Sequence, residues 1–184
     1  MNAAWLGLAL IGGALALLAV GRFVWNLRPQ REMRGIPITP LEKLGWVGLG
    51  VTSFVGLGLA ALVVFEGAAG FHENQSSRLI FWALLMSGIG VWASAWAVIK
   101  RRSGETVVDE RDRAILAGSL SVESVVVLLS LVAWTVTLTE VYWEAGAIPL
   151  AYLQLLFWST LIGGAFGRSL GIVMGYRREI PVDA

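Results

Sequence analysis

The sequence predicts an all-α fold, a polytopic membrane bundle of five transmembrane helices forming a single domain over residues 1–184. Three observations carry this expectation. Hydrophobic residues make up 57% of the chain and charged residues only 15%, where soluble domains carry about 25% charge. Five apolar runs, at about 3–25, 44–65, 79–99, 117–143 and 148–176, each approach or exceed the ~20 helical residues that cross a bilayer. Lys and Arg alternate between sparse and dense along the connections, as the positive-inside rule requires.

The composition also excludes classes of function. A net charge of +1 leaves no basic surplus to displace counterions from nucleic acid, so no nucleic-acid partner is expected. The chain has no cysteine and one histidine, His72, which removes disulfides, thiolate metal sites and multi-histidine haem or pigment sites. No cofactor is implied. His72 beside Glu73 reads as a solvated loop histidine rather than a metal ligand. Asn74-Gln75-Ser76 forms a glycosylation sequon, meaningful only in a secretory eukaryotic pathway.

The first run, Ala3–Trp25, lacks a preceding Lys or Arg, and its core from Ala3 to Gly21 is longer than a typical signal core, so a retained span is expected. The first connection carries Arg28, Arg31, Arg34 and Lys43, with Arg22 just inside the span. The third carries Lys100, Arg101, Arg102, Arg111 and Arg113, and the tail adds Arg177 and Arg178. The second, "EGAAGFHENQSSR", has only Arg78 and the fourth, "EVYWEAGAIP", has none. This pattern places the N-terminus outside and the C-terminus in the cytoplasm. The expected location is a prokaryotic plasma or inner membrane, with the lipid bilayer as the first partner.

Span two opens on "ITPLEK", with Thr39 as cap, Pro40 at the first helical position and Glu42 at the third. Span four opens on "VVDERDRAI". Asp109 is placed as N-cap, with Asp112 as a capping-box-like partner, and acidic residues in the first turn suit the positive end of the helix dipole. From Glu110 to Trp143 is 34 residues, about 51 Å of helix. That exceeds a ~30 Å hydrocarbon core, so the first turns should stand in the headgroup layer. The charges Asp109, Glu110, Arg111, Asp112 and Arg113 thus read first as a helix cap. Two further roles stay open, a docking surface for a cytoplasmic partner and an ion site, though no second acidic cluster exists to close a shell.

This stretch resembles a family of small prokaryotic integral membrane proteins of unknown function, marked by Asp-Glu-Arg-Asp, a basic residue and then an aliphatic one before a long apolar helix. Asp109, Glu110, Arg111, Asp112, Arg113 and Ile115 are the matching positions. The likeness runs from Val108 to the end of the chain. After the motif this chain reads "LAGSLSVESV", where the family continues with basic and aromatic residues. The resemblance implies a membrane protein and supplies no catalytic residue.

Ionisable groups inside a span are costly and usually partnered. Glu123 lies 23 residues before Gly146, at the centre of the last turn, and Arg168 lies 22 after it. An antiparallel hairpin therefore sets them level, and an intramembrane ion pair is expected, against the alternative that each snorkels alone. Gly163, Gly167, Gly171 and Gly175 recur every fourth residue of span five and line one stripe, the mark of close helix packing. Glycine-rich spans one and two are candidate internal partners for it, and a second copy is the other. Trp5, Trp82 and Trp143 on one side and Trp25, Trp46 and Trp96 on the other read as aromatic belts. The deeper Trp92, Trp134 and Trp158 read as packing residues.

Three functions compete. First is a non-enzymatic scaffold or accessory subunit, packed against other membrane subunits or its own copies. Second is a small transporter or channel, disfavoured because no span is broken by proline at a binding site. Third is an intramembrane enzyme, disfavoured by the lack of cysteine, of a second histidine and of paired intramembrane carboxylates.

Overall fold

The computed structural model describes residues 38–103 and 109–178. They form four helices: α1 Pro40–Glu73, α2 Gln75–Ser103, α3 Glu110–Tyr142 and α4 Leu150–Arg178. All four are long and apolar enough to cross a membrane. The expected first span, 3–25, lies outside the described residues.

α1 and α2 extend beyond their apolar runs at both ends, α3 at its start and α4 at its end, and capping residues set where α1 and α3 begin. Thr39 accepts from the Glu42 N–H at 3.2 Å and Pro40 takes the first turn, so α1 starts four residues before its apolar run. Asp109 accepts from the Asp112 N–H at 2.7 Å and starts α3 at Glu110.

The second connection differs most from expectation. Most of "EGAAGFHENQSSR" is helical. α1 bends at Gly67 (φ 74°, ψ 167°), continues to Glu73, and joins α2 through Asn74 alone. A left-handed φ at this point suits only glycine without strain. Asn74 closes α1 through its N–H to the Gly70 carbonyl (2.8 Å), and its side chain accepts from the Ser76 N–H at 3.0 Å to start α2. The last turn is where expected: Gly146 takes φ 64° after the Gly146 N–H bonds the Tyr142 carbonyl at 3.2 Å.

The main helix contacts run in the order α2, α1, α4, α3. Antiparallel packing brings the starts of α1 and α3 and the end of α4 to one end of this row, the basic end. Two apolar clusters hold it. Toward the far end, Val55, Leu59, Phe71, Phe81 and Leu155 are buried together, with Phe81 edge-on to Trp158 at 5.4 Å. At the basic end Leu41, Ile115, Ile172 and Tyr176 are buried together.

Candidate functional site

The five charged residues that open α3 divide into two groups. Asp112 is buried, whereas Asp109, Glu110, Arg111 and Arg113 are exposed. The Asp112 carboxylate does not close a capping box back onto Asp109. Instead it accepts a hydrogen bond from the Tyr176 hydroxyl in the last turns of α4. Leu41, in the first turn of α1, is buried in the same cluster as Tyr176. The Arg111 guanidinium lies over the Tyr176 ring, 5.4 Å from its centroid, and Arg177 lies over Trp46 of α1 at 5.1 Å. Ile115, one turn further in, joins the buried cluster. The motif that marks the start of α3 therefore ties the ends of three helices together. Sequence reasoning missed Tyr176, because nothing local signals a partner 64 positions away.

The glycine stripe of α4 packs against α3. A Cβ built on Gly175 would stand 2.8 Å from Ile115, on Gly171 2.7 Å from the Ser119 Cα, and on Gly167 2.9 Å from Val126. Gly163 is looser, 3.6 Å from Val126. The stripe's partner is thus the preceding helix, rather than a glycine-rich span elsewhere. α1 meets another face of α4 with its own glycines: a Cβ on Gly45 would lie 2.8 Å from Ile172, and Gly48 sits on Ser169.

Glu123 and Arg168 come together along the same hairpin. The Arg168 guanidinium lies 3.8 Å from the Glu123 carboxylate, with side chains 50% and 31% exposed. Beyond this pair, toward the turn, Ser130 and Thr160 hydroxyls meet at 3.3 Å and Trp134 Nε1 donates to Ser159 Oγ at 2.8 Å. Every one of these contacts is nearly symmetric about Gly146, so one turn sets the whole register.

At the opposite end the bend at Gly67 presents Glu66, whose carboxylate accepts from the buried Ser77 hydroxyl. Arg78 donates to the His72 carbonyl, capping the end of α1. His72 is not a solvated loop residue. It occupies the last turn of α1, with Nδ1 3.0 Å from Gln154 Oε1 on α4. Among the described residues no three His, Asp or Glu side chains gather closely enough to hold a metal ion.

Comparison with protein-family models, with curated proteins and with solved structures finds no match for this chain. The class that fold and site define is a helical bundle with membrane-crossing dimensions and a charged end held by side-chain contacts.

Proposed function

We propose that the chain is a multi-pass protein of a prokaryotic plasma membrane, with five spans, the N-terminus outside and the C-terminus in the cytoplasm, acting as a non-enzymatic scaffold or accessory subunit. The observation that carries this reading is the basic end of the bundle. The buried Asp112–Tyr176 bond and the cluster of Leu41, Ile115, Ile172 and Tyr176 hold three helix ends, and Lys43, Arg101, Glu110, Arg113 and Arg177 stand exposed at the same end. Charges of both signs grouped at one end of a packed bundle suit docking another protein, because complementary charge steers the partner and little backbone ordering is left to oppose binding. The kinship suggested by Asp109–Arg113 agrees with a membrane role and adds no chemistry to it.

The test is purification in mild detergent of the natural chain and of a Glu110→Lys, Arg113→Glu variant. The natural chain should elute with a stoichiometric second subunit, which the variant loses while keeping its melting temperature. A chain that elutes alone sinks the reading. Solute flux in proteoliposomes that stops on Glu123→Gln would assign a transporter instead.

A further inference from the structure

A lengthwise slot of about 570 Å³ opens where α1, α4 and α3 meet. α1 lines it with Thr52, Gly56 and Ala60, spaced by four, and α4 with Ser159 and Gly163, also spaced by four. Trp134 of α3 closes the far wall. Most polar atoms along it, those of Thr52, Ser159 and Trp134, are engaged inside the bundle, and Ser53 adds one hydroxyl. The Thr52 hydroxyl donates to the Gly48 carbonyl at 2.7 Å, and Ser159 receives the Trp134 indole N–H at 2.8 Å. What remains is a mostly apolar trough whose small residues lie among larger ones, Leu57, Val63, Ile162 and Phe166 included. Such a surface admits the side chains of another helix and offers little to orient a polar ligand.

We propose that this slot seats the chain's own N-terminal apolar segment, 3–25, running antiparallel to α1; the inference rests on the five-span reading. Thirteen residues, 26–38, join Trp25 to the cap of α1. They reach at most about 45 Å, several times the ~8–10 Å between packed helix axes, so the tether permits the placement. A register follows if Arg22 of the segment and Leu44 of α1 are set at one depth: Leu6, Leu10 and Ala14 would then fall level with Ala60, Gly56 and Thr52. Both triplets repeat every fourth residue, and two leucines stand opposite the alanine and the glycine. Large side chains would then meet the small residues of the trough. Seating a helix there gives α1, α4 and α3 a fourth neighbour and turns this part of the row into a closed bundle.

The natural chain has no cysteine, so paired substitutions report proximity without background. The variants are Ala14→Cys with Thr52→Cys, Leu6→Cys with Ala60→Cys, and, as control, Ala14→Cys with Ala93→Cys, which is exposed on α2. Each is oxidised in native membranes, where a disulfide needs Cβ atoms about 3.5–4.5 Å apart. Both slot pairs should form a disulfide within one chain, several-fold more than the control. Disulfides between two chains would show that a second copy fills the slot and overturn the inference. So would the absence of any disulfide while Ala14→Cys is shielded from a membrane-impermeant maleimide; the segment would then span the membrane elsewhere, leaving the five-span reading intact. Ready labelling of Ala14→Cys by that maleimide would overturn the five-span reading itself.

Discussion

Tyr176 holds the basic end together through one hydroxyl, and a single-atom change tests it. In Tyr176→Phe the buried Asp112 carboxylate loses its donor while the ring stays under Arg111 and against Ile115. Leaving a buried acceptor short of a partner costs roughly 1–3 kcal/mol. A drop in melting temperature in detergent is therefore expected for Tyr176→Phe, and an unchanged value would show that the contact does not hold the helix ends. Glu123 and Arg168 call for a cycle rather than a single change. A lone charge at mid-span costs roughly 2.5–3.5 kcal/mol on insertion scales, and less toward the interface. Glu123→Gln and Arg168→Gln should each destabilise the protein, and the double change should cost less than the sum, by about 0.5 kcal/mol or more. Strict additivity would make the 3.8 Å approach incidental. The half-exposed Arg168 sets the expectation at the lower end, since a solvated or snorkelling guanidinium gains less from its partner.

At the scale of the helix, the hairpin of α3 and α4 is a contact between a glycine stripe and a row of larger side chains. Its tightest point is Gly171, where an added Cβ meets the Ser119 backbone itself at 2.7 Å. Backbone cannot rotate away, so Gly171→Ala must separate the helices and should cost about 1–3 kcal/mol. Gly118 on α3 faces open space, with nothing within 4 Å of a built Cβ. Gly118→Ala should be neutral, or stabilising by up to about 1 kcal/mol through helix propensity. Thermal denaturation of the two variants side by side separates packing from propensity, and equal melting temperatures would mean the stripe bears no close contact. The stripe itself was legible in the sequence as a repeat of four. Its partner was not, because several spans carry small residues and spacing alone does not say which backbone approaches. The same limit explains the second connection. Glu66 to Arg78 reads as a polar loop by composition, yet it is helical around a bend at Gly67, since Ser77, Asn74 and Arg78 satisfy the polar groups the bend exposes.

For the molecule as a whole, the distribution of Lys and Arg makes a claim about direction. If all the basic clusters lie on the cytoplasmic side, a reporter fused after Ala184 that is active only outside the cytoplasm should stay dark, and its cytoplasmic counterpart should be active. The opposite result would invert the platform of Lys43, Arg101, Glu110, Arg113 and Arg177 and remove it from any cytoplasmic partner. The row of helices also predicts where the molecule is least self-sufficient. α2 meets the row chiefly through α1, and its Leu79, Met86, Ile89 and Trp92 are exposed. That flank is apolar enough to face lipid directly.

The sequence by itself determined the helical class, the places where α1 and α3 begin, the turn at Gly146 and the level placing of Glu123 and Arg168. Each of these depends on residues close in sequence or symmetric about one turn: a cap and its third neighbour, a run of apolar residues, an equal count in two directions. Tertiary structure alone decided that Asp112 bonds Tyr176, that the glycine stripe lies on Ile115, Ser119 and Val126, and that His72 turns inward to Gln154. Those outcomes depend on which helix faces which, and at what rotation. In a chain whose spans are apolar on every side, no hydrophobic face distinguishes inside from outside, so only the fit of small residues against larger ones selects the neighbours.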